Sequence, residues 1–248
     1  MQHKKKIGII GGMGSRAGAL FLKKVIDYSP AEKDQDFPEI IYHNNSNTPD
    51  RTRAIIYHEP SPLEDLLKSI RLFNQNEVEL VALACITSYY YYDRLCAWTD
   101  AEILNPLQLV AECISREFPG VKKVGLLATT GTVNTGLFHQ SLVQCGVEII
   151  TLQPHDQEQL FMNAVYMKNG FKSGNISPKA GTLLRQAVHK LVEQDAELLI
   201  GGCTEVSVGW EAGTTTVPFI DVLDLLAKKM VERCYSPLIK KSESLSNG

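Results

Sequence analysis

Two of the six cysteines occupy matching places in the chain. "EVELVALACITS" (Glu77–Ser88) and "DAELLIGGCTEVS" (Asp195–Ser207) share one plan: an acidic lead, an apolar run, then Cys85 or Cys203 where the run turns polar. A cysteine is most often a small buried hydrophobe. One that ends a buried run, with a threonine just beyond it, is placed for chemistry. Two such thiols on opposite sides of one carbon can take a proton from one face and return it to the other, which inverts a stereocentre. That chemistry needs one thiol charged and one neutral, and a free thiol with a pKa of about 8.5 is only a few per cent ionised at pH 7. Backbone N–H groups at strand ends and nearby cations favour the charged form. The other four cysteines (96, 113, 145 and 234) have no such setting and are read as packing or surface thiols.

Other candidates surround this pair. Arg51 sits in a Pro-Asp-Arg turn after an apolar run, and its planar fork suits a carboxylate. Glu205 either orients a group beside Cys203 or opens a helix where an acid favours the dipole. Thr129 and Thr132 either cap a helix or reach a ligand, in the place that Gly12, Met13 and Gly14 hold earlier in the chain. In the run Tyr89–Tyr92, at least one ring is expected to pack behind Cys85. His43 and His58 flank Arg51, but neither lies in a motif that makes it a cysteine's partner. No cysteine or histidine spacing matches a metal site, so none is expected.

These residues need a scaffold. Short apolar runs predict strands at Ile7–Ile10, Ile40–His43, Leu80–Ala84, Val124–Leu127, Val147–Thr151, Leu198–Ile200 and Phe219–Asp221. Amphipathic spacing predicts helices over Leu63–Asn74 and Leu183–Val192. Apolar strands alternating with helices predict an α/β protein with parallel sheets covered on both faces.

The chain also repeats itself. "KKKIGIIGGMG" (Lys4–Gly14) pairs with "VKKVGLLATTG" (Val121–Gly131), and each is followed at nearly the same interval by its cysteine: 78 positions from Ile7 to Cys85, 79 from Val124 to Cys203. The pattern predicts two pseudosymmetric α/β domains, residues 1–112 with about 217–248, and residues 113–216. Ligands bind beyond the carboxyl ends of parallel strands, so both cysteines would meet in the cleft between the domains.

Composition narrows the class. With 44% hydrophobic and 21% charged residues the 248-residue chain is ordinary for a globular protein, and a net charge of −3 gives no reason to expect nucleic acid or an anionic membrane as partner. No apolar run approaches the ~20 residues of a membrane span. The basic start is cut short by Gly11, Gly12 and Gly14, unlike a signal peptide, and a cytoplasmic location is expected. The tail from Lys240 is polar and expected to be disordered.

The chain resembles the cofactor-independent aspartate/glutamate racemases along nearly its whole length. The stretches that carry this are "IGIIGGMG", "NTPDRT" (Asn47–Thr52), "ACIT" (Ala84–Thr87), "VGLLATTGT" (Val124–Thr132), "AVYMKNG" (Ala164–Gly170) and "GGCTE" (Gly201–Glu205). The resemblance implies a two-domain fold, a homodimer, and no pyridoxal phosphate or metal. It implies catalytic roles for Cys85 and Cys203, and a grip on a side-chain carboxylate by Arg51 and Lys168. Thr87 and Thr204 would hold the α-carboxylate or ammonium of a small amino-acid substrate. Two departures stand out: Ile86 where the family commonly has an amide donor, and Ser15 where it commonly has proline. Losing a donor to a charged group costs about 1.5–3 kcal/mol.

Three rival functions follow from the same residues. Gly12-Met13-Gly14-Ser15-Arg16-Ala17 fits a GxGxxA dinucleotide turn, but the expected acid at the end of the second strand is replaced by asparagines. A same-fold decarboxylase or isomerase of a small dicarboxylate would use one cysteine alone, and a binder that had lost turnover would use neither.

Overall fold

The computed structural model describes residues 4–211 and 213–236; the polar tail lies outside them. The first half runs β1 (Ile7–Gly11), α1 (Ser15–Tyr28), β2 (Ile40–Asn44), α2 (Arg51–Tyr57), α3 (Leu63–Gln75), β3 (Leu80–Leu83), α4 (Tyr92–Cys96), β4 (Glu102–Ile103) and α5 (Pro106–Glu117). The second half runs β5 (Lys123–Leu127), α6 (Thr130–Asn134), α7 (Leu137–Leu142), β6 (Glu148–Ile150), α8 (Pro154–Asp156), α9 (Asn163–Tyr166), α10 (Pro178–Val192), β7 (Leu198–Gly201), α11 (Thr204–Gly209), β8 (Phe219–Asp221) and α12 (Val222–Tyr235).

Each half forms a parallel four-stranded sheet with the same strand order, β2-β1-β3-β4 and β6-β5-β7-β8. The registers match as well: Ile7 faces Leu80 and Val124 faces Leu198. The two-domain α/β fold read from the repeat is therefore present, and the strands β1, β3, β5 and β7 are buried throughout or nearly so, as unbroken apolar runs require. Strand β4, only Glu102–Ile103, has no apolar run to announce it.

The boundaries expected near 112 and 217 need correction. β8 pairs with β7, Leu199 opposite Phe219 and Gly201 opposite Asp221, so residues 219–221 belong to the second sheet by backbone hydrogen bonding. The helices behave differently from the strands. α12 buries Leu223, Leu226, Ala227 and Met230 among Ile7, Ile9, Phe21 and Leu80 of the first half. α5 buries Leu107, Val110 and Ile114 in a cluster with Val124, Phe138 and Leu142 of the second. Each half sends its last helix onto the other, and the division at 112 falls inside α5. This exchange ties the halves into one body and fixes where their strand ends meet.

Candidate active site

Cys85 and Cys203 occupy equivalent backbone positions. Each has extended dihedrals and caps the helical turn that follows its strand: Ile86–Tyr91, a tight 3-10 turn, and α11. Ser88 donates from both its N–H and its hydroxyl to the Cys85 carbonyl, at 3.2 and 2.6 Å. The Val206 N–H donates to the Cys203 carbonyl at 3.0 Å. The Leu83 N–H donates to the buried Tyr89 hydroxyl, which puts that ring behind Cys85. Both cysteines are buried, at 6% and 5% exposure.

The two strand ends touch. Thr204 donates its hydroxyl to the Ala84 carbonyl at 3.3 Å, across the boundary between the halves. Thr87 of the first half lies 2.9 Å from the Thr129 hydroxyl and 3.0 Å from that of Thr132, and those two lie 3.2 Å apart. The result is a buried triangle of hydroxyls that spans the cleft. Thr52 stands next to it: a Cβ on Gly131 would come within 2.8 Å of Thr52 Oγ1 and 3.2 Å of the Thr87 methyl.

Arg51 opens α2, whose N-cap Asp50 accepts from the Arg53 N–H at 2.9 Å. Its Nη1 donates to the Thr48 and Pro49 carbonyls, at 3.3 and 2.9 Å, and its Nη2 donates to the Met13 carbonyl at 2.9 Å. Its Nε has no partner, nor does the Thr52 hydroxyl, although both atoms are buried. Unpaired buried polar atoms cost stability, so each marks a place where a ligand could supply the partner. Burial opposes the Arg51 charge, but Cys85 and Asp50 more than offset it and hold the guanidinium above its ordinary value.

Lys172 supplies the second cation. Its Nζ donates to the Met13 carbonyl at 2.7 Å and to Glu205 Oε1 at 2.9 Å. Glu205 Oε2 accepts from the Cys203 thiol at 3.0 Å and lies 3.3 Å from the Thr204 hydroxyl, whose one proton is shared between it and the Ala84 carbonyl. Burial works against the Glu205 charge, yet Lys172 holds its pKa below the usual carboxylate value. Desolvation likewise works against Lys172, and Glu205 raises it. Burial, reinforced by Glu205, pushes the Cys203 thiol well above the ordinary thiol value.

The three residues of the first turn have separate tasks. Gly12 adopts a φ of 86°, and a Cβ there would lie 2.3 Å from the Asn45 backbone. Met13 offers one carbonyl to both cations. Gly14 leaves room for Glu205: a Cβ would lie 2.1 Å from its Oε1.

Lys168 is not in this cluster. It is exposed, and Lys172 takes the position expected of it. α9 ends at Tyr166, Asn169 turns left-handed at φ 62°, and the Phe171 and Lys172 N–H groups fold back onto the Ala164 and Val165 carbonyls. That reversal points Lys172 inward. Ile86 is fully buried in the core and offers no side-chain donor. His43 is 2.9 Å from the Ser69 hydroxyl, away from the thiols' partners. Among the described residues no group of three or more His, Cys, Asp or Glu could hold a metal ion.

Sequence reasoning also missed Thr52 and Tyr166. Tyr166 donates to Asp50 at 3.0 Å. A cavity of about 500 Å³ is lined in part by Thr52, Tyr57, Met162 and Tyr166.

A family model, Asp/Glu/hydantoin racemase, matches residues 10–230. The chain belongs to that family. The broad specificity amino-acid racemase RacX of Bacillus subtilis (strain 168) is 26% identical over 231 residues, 91% of this chain and 96% of that protein. The Picrophilus torridus aspartate racemase shares the fold with a TM-score of 0.77 at 24% identity, over 92% of this chain and 94% of that one. The glutamate racemase of Francisella tularensis, solved with D-glutamate, shares it at 0.63 and 18% identity, over 93% and 80%. The family's two-lobed architecture is the one built here from two repeats. No helix among the described residues is long and apolar enough to cross a membrane.

Proposed function

We propose that this racemase-family protein inverts the α-carbon of an amino acid by two-base proton transfer between Cys85 and Cys203, without a cofactor. The observation that carries the reading is the pair of buried thiols on equivalent strand ends, which the Thr204 hydroxyl and the Ala84 carbonyl join across the two halves. In one direction the Cys85 thiolate takes the α-proton and becomes a thiol. The electron pair left on carbon then takes the Cys203 proton on the opposite face, leaving Cys203 as thiolate. The reverse direction exchanges the roles, and solvent exchange resets the pair.

An α-carbanion is a poor leaving state unless the adjacent carboxylate is stabilised as it gains enolate character. The unpartnered Thr52 hydroxyl and the Thr87, Thr129 and Thr132 triangle support a seat for that carboxylate. Arg51 keeps Nε without a partner, and that unused donor on a buried guanidinium favours an acidic substrate, aspartate or glutamate. Ile86 removes one side-chain donor from the expected carboxylate grip, which favours a wider substrate range than that pair, as in the broad-specificity relative. A cytoplasmic homodimer belongs to the same reading, and sedimentation tests the dimer.

Incubation with each enantiomer of a panel of amino acids in deuterated water tests the proposal, with the α-proton followed by NMR. Loss of the α-proton together with inversion is expected. Saturable binding with no exchange, or loss of a carboxyl group, would overturn it in favour of a binder or a decarboxylase.

A further inference from the structure

We propose that Glu205, fixed in place by Lys172, is a positioning residue that keeps the proton on Cys203 in the free enzyme, so that Cys203 is the acid and not the base when substrate arrives. The inference rests on the two-thiol reading only for its catalytic consequence; the protonation itself is a property of the unliganded protein.

The geometry is direct. The Cys203 thiol points at Glu205 Oε2 at 3.0 Å, and a carboxylate can only accept there, so the sulfur must be the donor. The other carboxylate oxygen is held at 2.9 Å by Lys172, whose ammonium is fixed in turn by the Met13 carbonyl at 2.7 Å. Glu205 is 3% exposed and cannot turn to solvent. The Thr204 hydroxyl lies 3.3 Å from Oε2, the oxygen that faces the thiol. Gly14, where a Cβ would overlap Glu205 Oε1, shows that the first half is shaped around this carboxylate.

The repeat sharpens the argument. Two residues after Cys203 stands Glu205; two residues after Cys85 stands Thr87. The carboxylate has no counterpart in the first half, and Arg51 acts on Cys85 instead. Charged groups that face Cys203 come from each element around it: Glu205 on its own helix, Lys172 from the loop before α10, and the Tyr166 phenol on α9. Of these, only Glu205 is an anion close enough to hold the thiol proton.

Two consequences follow. The free enzyme is handed: it takes first the enantiomer whose α-hydrogen faces Cys85. Lys172 moderates the effect, because an uncompensated carboxylate would make Cys203 too weak an acid to return its proton.

Iodoacetamide labelling of the unliganded protein across a pH series, read peptide by peptide in a mass spectrometer, tests this without substrate. Only thiolates react, so the inflection of each profile follows each thiol's titration. We expect the Cys203 profile to inflect above the ordinary thiol range. Glu205→Gln should move that inflection down by at least about one pH unit, roughly tenfold more labelling at a fixed alkaline pH. Lys172→Met should move it up. A Glu205→Gln protein that labels faster at every pH with an unmoved inflection has merely loosened, and that result overturns the proposal. So does a Lys172→Met profile shifted down. If labelling shifts as expected but neither enantiomer exchanges its α-proton, the positioning stands and the racemase reading fails. If racemisation is found with an unmoved Cys203 profile, the reverse holds.

Discussion

The two halves share a backbone and differ in what they set beside the sulfur. Cys85 and Cys203 have the same extended conformation, end equivalent strands and cap a following turn. Around Cys85 stand a guanidinium and the neutral Thr87; around Cys203 stand a carboxylate and its ammonium. Duplication therefore accounts for the placement of the thiols, and divergence at single side chains accounts for their different electrostatics. The proposed two-base mechanism uses both: symmetry would bring two groups to opposite faces of one carbon, and asymmetry would settle which is the base.

Removing a sulfur is the largest test of that comparison. Cys85→Ala and Cys203→Ala should each lower racemisation by more than about 10³-fold, since each deletes one of two acid–base partners. Chiral chromatography measures the inversion. Single variants should keep slow α-proton exchange of one enantiomer each, and of opposite hand. Exchange of the same enantiomer by both would break the pairing.

Lys172→Met comes next, because it leaves Glu205 as a buried charge without its partner. Breaking such a pair costs about 3 kcal/mol, lowered here by the partial exposure of the lysine. The pH dependence has a definite sign. Glu205 is held below the usual carboxylate value, so its contribution is complete above the unfolded value of 4.5 and is lost as pH falls through the folded one. Lys172 is held above 10.5, so its contribution is complete below that value and is lost as pH rises through the folded one. Urea midpoints of wild type and variant should differ most between those limits and converge outside them. A difference that does not change with pH would detach the pair from the stability of the cleft.

How far the sequence revealed this arrangement depends on what sets each part. The strands β1, β3, β5 and β7 are buried throughout or nearly so, and an apolar run is both necessary and visible. The cysteines and threonines follow those runs without a gap, so their placement is inherited from the strand. Lys172 is not legible in that way. It reaches the cleft through a left-handed turn at Asn169 and a fold-back onto the end of α9, and nothing in "YMKNGFK" distinguishes which lysine points inward. β8 falls on the other side of the expected boundary at about 217 because its backbone pairs with β7 while the helix after it packs on the first half. Thr52 is legible only as the neighbour of Arg51; its lack of a partner is a property of the packed cleft.

The glycine turns offer a finer comparison. Gly14 and Gly131 are equivalent in the repeat, and both approach the other half. A Cβ on Gly14 meets the pinned Glu205 carboxylate at 2.1 Å, whereas one on Gly131 meets the Thr52 hydroxyl at 2.8 Å. Overpacking costs about 1–3 kcal/mol, and Gly14→Ala belongs at the upper end because Glu205 cannot withdraw without leaving Lys172. Gly131→Ala belongs at the lower end. Thermal denaturation ranks them, and equal losses would mean that Glu205 is free to move.

The smallest test compares the two exchanged helices. Asn105 caps α5 by accepting from the Leu107 N–H at 3.0 Å. Asp221 caps α12 by accepting from the Leu223 and Asp224 N–H groups, at 3.0 and 3.2 Å, and also from the Ser207 hydroxyl at 2.5 Å. Losing a cap to alanine costs about 1 kcal/mol. Asn105→Ala should come close to that figure. Asp221→Ala should exceed it, because its carboxylate also holds the end of α11, the helix that Cys203 begins. If the exchanged helices tie the halves together, both variants should shift the urea midpoint of one cooperative transition. A second transition appearing in Asp221→Ala would mean that α12 can leave the first sheet while the second stays folded.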